Sequence, residues 1–173
     1  MSEGIVSRVA HRIEEVEALE TIARAAEGVI RRPLDQPGVK AVLGGEWLGH
    51  AAHPMLTDLP IGFWTGSMVL DLVGGKRGRP AADLFVLLGN LTALPTIATG
   101  LTDFTYLDDR AKRVGVVHAT ANAVGLGFYV ASYASRRHGH RLKGVALGFV
   151  GATALTVGGA LGGHLAFAQS SES

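Results

Sequence analysis

The sequence predicts an all-α integral membrane protein: an up-down-up-down four-helix bundle preceded by an amphipathic N-terminal helix. Three observations predict it. Charged residues make up 18% of the 173 residues and apolar residues 47%, glycine reaches 24, and mean hydropathy is positive. That balance is unusual for a soluble domain and ordinary for a small helical membrane protein. Beyond residue 50 come four apolar stretches, each of about 20 residues, the length that crosses ~30 Å of hydrocarbon at 1.5 Å per residue. The links between them are short, which favours antiparallel neighbours.

Residues 1–49 form an N-terminal helix and linker. Ile5, Val9, Arg12, Ile13, Val16, Leu19 and Ile22 fall at spacings of three and four, with Glu14, Glu15, Glu17 and Glu20 largely facing away. Pro33 and Pro37 end the segment. A solvated or interfacial helix is the plain reading and a partner-binding arm its rival. Residues 50–173 form the bundle, with spans at about 55–74, 82–101, 114–134 and 144–167. Pro60 sits in the first turns of the first span, where proline is tolerated, and Pro95 predicts a kink in the second. Trp64, Phe63, Tyr106, Tyr129 and Tyr133 are candidates for interface or inter-helix contacts. The fourth span is rich in glycine, and Gly144/Gly148 and Gly159/Gly163 have the spacing that lets helices approach closely, within the bundle or between protomers of a homo-oligomer.

The formal net charge of +1 gives no pull toward nucleic acid. The absence of cysteine excludes disulfides, thiolate metal sites and cysteine nucleophiles. The first 27 residues are charged throughout and do not read as a signal peptide. Lys76, Arg77, Arg79, Arg136, Arg137, Arg141 and Lys143 crowd the first and third loops, against Arg110, Lys112 and Arg113 in the middle one. The first and third loops are therefore expected in the cytoplasm.

Alternating spans bring four histidines to one face of the bilayer. His50 and His53 stand at the mouth of the first helix, His118 lies one turn into the third, and His164 falls in the last turn of the fourth. Imidazoles at the margin of hydrocarbon are costly unless they pair or bind something. His53, His118, His164 and His50 are the candidate cofactor ligands. His53, His118 and His164 with Asp58 or Asp103 are the candidate metal set. Asp58 could instead cap its helix or fix the tautomer of a ligating histidine. Asp71 and Asp83 are expected to pair with Lys76, Arg77 and Arg79 at the other face, and Asn90 and Asn122 to bridge helices. His138 and His140 in the basic loop, and His11 in the N-terminal helix, read as solvated.

The string Leu48-Gly49-His50-Ala51-Ala52-His53-Pro54-Met55-Leu56-Thr57-Asp58-Leu59-Pro60-Ile61-Gly62 resembles the opening signature of a bacterial membrane family, domain of unknown function 2231. Gly115-Val116-Val117-His118-Ala119 with Asn122, and Leu161-Gly162-Gly163-His164-Leu165, are similar to its later landmarks. The resemblance covers about residues 44–167. It departs at Ala51, where relatives often carry proline. It implies a multi-pass protein of a bacterial cell membrane. Relatives joined to Rieske iron–sulfur domains imply redox company, although this chain has no such portion.

Three functions compete. A b-type haem clamped by two histidines on different helices would serve electron transfer with a redox partner protein, with His118 and either His53 or His164 as the pair. A zinc, iron or copper ion could take the His/Asp set instead. A structural or accessory subunit of a membrane redox complex would leave the histidines only hydrogen-bonded. The chain reads more as a carrier or accessory subunit than as a stand-alone enzyme. No internal repeat is evident, and the single-ended polar cluster describes no continuous path, so transport is disfavoured.

Overall fold

The computed structural model describes residues 4–34 and 36–170. Within them the chain is helical without strands: α1 Ile5–Glu14, α2 Ala18–Leu34, α3 Pro37–Gly44, a 3₁₀ turn Glu46–Leu48, α4 Ala52–Val73, α5 Gly75–Phe104, α6 Asp109–Arg137 and α7 Arg141–Ser170.

The N-terminal segment is two helices rather than one. The chain turns at Glu15–Glu17, where the amide of Val16 reaches the carbonyl of Ile13 at 3.1 Å. Glu14, Glu15 and Glu17 gather at the negative end of α1, which disfavours continuing it, while Glu20 sits in the first turn of α2, where a carboxylate is favoured. The arm lies against the flank of α6 and α7. Ala10 is fully buried with Val114 and Leu161, and Ile13 packs on that cluster. The glutamates expected to face away divide. Glu15 and Glu17 are exposed. Glu20 meets Arg113 at 2.8 Å, Glu14 offers its backbone carbonyl to Arg113 at 2.6 Å, and Glu27 of α2 meets Lys112 at 2.9 Å. Ile5, Ile22 and Val29 are left outward. Two basic side chains at the start of α6 have drawn the acidic stripe inward.

The four long helices reach past the expected spans. Lys76 to Pro80, expected as a loop, are the first turns of α5, and the reversal from α4 is made by Gly74 and Gly75 alone. Gly75 takes φ +54°, a conformation that a side chain would strain. α5 continues through Pro95. Asp108 caps α6 by accepting from the amides of Arg110 and Ala111 at 2.7 and 2.9 Å. The threonines of α5 return their hydroxyl protons to the preceding turn, Thr92 to Leu88 at 2.8 Å and Thr102 to Ala98 at 3.1 Å, so no hydroxyl donor there needs water. α5, α6 and α7 as far as Ala166 are long and apolar enough to cross a membrane. α4 has the length but not that composition, because His53, Asp58, Asp71 and two prolines dilute it.

α4 packs along α5 and α6 along α7, and the two hairpins touch through α5 with α6 and α4 with α7. Where they meet at mid-length, Trp64 stacks on Tyr129 with ring centres 4.4 Å apart and planes 10° from parallel. The indole N–H of Trp64 donates to Asn90 at 3.2 Å, and the Asn90 amide donates to the carbonyl of Tyr129 at 3.4 Å. Asn90 therefore bridges helices as its sequence position implied.

At the α4–α5 turn end the hairpins meet through charge. Arg136 donates to Asp71 at 2.5 and 3.0 Å and to Asp83 at 3.1 Å, and Arg141 donates to the same two carboxylates at 2.5 and 2.8 Å. Arg136 and Asp71 are 2% exposed. The expected partners Lys76, Arg77 and Arg79 are instead exposed. A planar guanidinium offers paired donors that match a carboxylate edge, so the two arginines across the interface satisfy both aspartates.

Candidate functional site

The convergence of four histidines resolves into two separate groups and an outlier. His53 of α4 and His118 of α6 meet across the hairpin interface with ring centres 6.4 Å apart and planes 85° from parallel. Each ring is held by its own hairpin. His53 Nδ1 lies 2.9 Å from the carbonyl of Thr96 on α5, and His118 Nδ1 lies 2.7 Å from the carbonyl of Gly158 on α7. A carbonyl only accepts, so each Nδ1 carries the proton and each Nε2 keeps a lone pair.

Glycine makes this possible. A Cβ on Gly100 would come 2.7 Å from Cε1 of His53, and a Cβ on Gly162 would come 2.7 Å from Cε1 of His118. Both are closer than any side chain tolerates, so these positions are slots for imidazoles. The clearance that a glycine-rich fourth span offers is thus partly spent on His118 rather than left for a ligand. Gly144, Gly148, Gly151 and Gly158 likewise face α6, whereas Gly159 and Gly163 meet nothing within 4 Å and lie on the outer side.

The shells of the two rings differ. His118 Nε2 receives the side-chain amide of Asn122 at 3.1 Å. Thr99 approaches His53 at Nδ1, 3.4 Å away, and no hydrogen bond is found to His53 Nε2 among the described residues. Asn122, expected between helices, instead serves the histidine one turn before it on its own helix.

His164 stands apart from the pair. It faces α1, with Nε2 3.8 Å from Glu14 and its ring edge-on to that of His11 at 5.6 Å. His11 also lies 3.0 Å from Glu14. His11, read as a solvated surface residue, belongs to this second group. The i, i+3 spacing of His11 and Glu14 was its only signal in the sequence. His50 is exposed and bonds only the carbonyl of the next residue, at 3.1 Å. Asp58 is exposed one turn beyond His53. Asp103 lines a cleft of about 270 Å³ with Gly44, Glu46, Ala51 and Tyr106. Among the described residues no three of His, Asp or Glu gather closely enough to hold a metal ion. The helix carbonyls of Thr96 and Gly158, which hold the two imidazoles, are positions of the candidate site that sequence reasoning missed. Their trace is a glycine four residues on in each case, Gly100 and Gly162.

The family model described as predicted membrane protein, domain of unknown function 2231, matches residues 49–171. Neither the curated proteins nor the solved structures give a match. The chain belongs to that membrane family.

Proposed function

We propose that this member of the family is a four-span membrane protein that binds one b-type haem between His53 and His118 and carries electrons. One observation carries the reading: two imidazoles from different helices, 6.4 Å apart, each with its Nδ1 proton committed to a carbonyl. That commitment leaves the Nε2 lone pairs, which is the tautomer an iron ligand needs. His53 and His118 would hold the group. A haem held there would supply one-electron redox, which suits a carrier rather than a catalyst. Asn122 occupies the lone pair of His118 and would have to turn away as the ligand enters.

α4 counts as the fourth span because, Asp58 near its start apart, its charged and histidine side chains are turned inward. His53 and Asp71 face the other hairpin, while Met55, Leu59, Ile61, Val69, Leu72 and Val73 are exposed along its length. An outward apolar stripe on a helix that runs beside α5 belongs in lipid. The basic residues of the α4–α5 and α6–α7 turns put those turns in the bacterial cytoplasm and the imidazole pair near the opposite face, where a redox partner protein would dock. The test is titration of the detergent-purified chain with haem. Saturation at one haem per chain, lost on His53→Ala and on His118→Ala, is the expected result. Binding that survives both substitutions would remove the pair from the function. A stoichiometric metal ion in a colourless protein would favour the metal reading.

A further inference from the structure

The contacts between the hairpins obey a rule that the sequence conceals. His53 meets His118, Trp64 stacks on Tyr129, and Asp71 pairs with Arg136. Each of these pairs is separated by 65 residues. With that offset Gly62-Phe63-Trp64 aligns with Gly127-Phe128-Tyr129, and the buried Ser67 aligns with the buried Ser132. The partner helices follow a second constant offset of 62 residues. Thr96 and Gly158 give the carbonyls that hold the two histidines, and Gly100 and Gly162 give the slots. Gly89 and Gly151 lie against the rings of Trp64 and Tyr129 in the same way. Contacts between like positions of two parallel helices are what a two-fold axis between them produces.

We propose that residues 52–104 and 117–166 are two copies of one helical hairpin about a pseudo-two-fold axis along the bundle, that the axial site takes one ligand from equivalent donors, and that the buried aspartate of the first copy and the buried arginine of the second select the pairing that forms it. The histidines sort accordingly. His50 lies outside the copies and His164 aligns with Thr102, so neither has a counterpart, and neither stands on the axis. The charges sort too. Asp71 and Asp83 both belong to the first copy, and Arg136 and Arg141 both belong to the second. Two first copies would set two buried Asp71 carboxylates against each other, and two second copies two buried Arg136 guanidinium groups. At that position only unlike copies neutralise each other, and such repulsion against the wrong pairing is how related elements stay specific. Only the identity of the ligand rests on the haem reading.

The test is charge reversal in the full-length chain, with thermal unfolding and particle size in detergent as readouts that need no ligand. Reversing the first copy alone, Asp71→Arg with Asp83→Arg, should lower the unfolding midpoint by at least ~10 °C or destroy the single species. Reversing the second copy as well, Arg136→Asp with Arg141→Asp, should recover most of that loss. A fourfold variant no better than the twofold one would overturn the pairing lock. Haem binding should return with the fourfold variant. A midpoint that recovers while no variant, wild type included, binds haem would leave the paired repeats standing and sink the haem reading.

Discussion

The two ends of the hairpin interface solve the problem of polar groups in a membrane differently. At the turn end four charges cancel, and both aspartates accept from both arginines. At the other end each imidazole satisfies Nδ1 against a helix carbonyl, the second nitrogen of His118 takes the Asn122 amide, and that of His53 has no hydrogen bond among the described residues. A saturated polar cluster fixes structure, whereas one with spare lone pairs invites a ligand. On the proposed reading the first end serves stability and the second holds the ligand.

Substitution should separate the two roles. Removing Arg136 with Arg136→Met leaves the buried Asp71 carboxylate to the partly exposed Arg141 and should cost about 3 kcal/mol of stability, read by denaturant unfolding in detergent. His53→Ala should cost less stability than Arg136→Met yet abolish ligand binding. Equal damage to both properties by both substitutions would break the division.

The next effect belongs to the imidazole slots. Gly100→Ala and Gly162→Ala force the rings from their carbonyls and should weaken ligand binding by about fivefold or more, since a lost charge-free hydrogen bond alone is worth ~1 kcal/mol. Gly159→Ala and Gly163→Ala, whose added methyl groups meet nothing within 4 Å, should leave affinity unchanged. Titration of the four variants ranks them.

Asn122→Ala is expected to act in the opposite direction. It frees the His118 lone pair from a donor 3.1 Å away and should tighten binding by roughly two- to tenfold, the equivalent of one net hydrogen bond. A loss of affinity would show that Asn122 supports the ligand instead of competing with it.

The smallest effect lies in the arm, outside the membrane. The hydrogen bond from Lys112, with its charge, holds the Glu27 carboxyl below the usual glutamate range. A depressed carboxylate stabilises the docked arm fully above its unfolded pKa, and that contribution fades as pH falls through the lower folded value. Limited proteolysis of α2 should therefore quicken below about pH 4, and Glu27→Gln should remove that dependence. An arm equally protected in acid would show that Ala10 and Ile13 hold it without the ion pair.

Much of this architecture was legible in residue patterns. Apolar lengths located the four long helices but not their ends, α5 starting seven residues before the expected span, and the alternation of spans brought His53 and His118 to one end. Other features were hidden for identifiable reasons. The acidic stripe of the arm looked solvent-facing because its partners Lys112 and Arg113 lie some 85 to 99 residues away. Asp71 was matched with its neighbours in sequence, since nothing local marks Arg136 as a buried residue. His164 follows a Gly-Gly pair much as a ligand would, but its depth on α7 sets it beside α1. The repeat escaped notice because few residues survive in both copies and the two helices of each follow different offsets. It emerges from contacts that pair like with like, including Asp71 with Arg136, where the copies have become opposites.

The most direct measurement is an absorption spectrum of the detergent-purified chain, oxidised and then reduced, with metal analysis of the same sample. A Soret band with sharp bands on reduction, one iron per chain, and loss of both in His118→Ala is the predicted result. A colourless protein with neither haem nor metal, after expression with both supplied, would contradict the central claim and leave the imidazole pair a purely structural clasp.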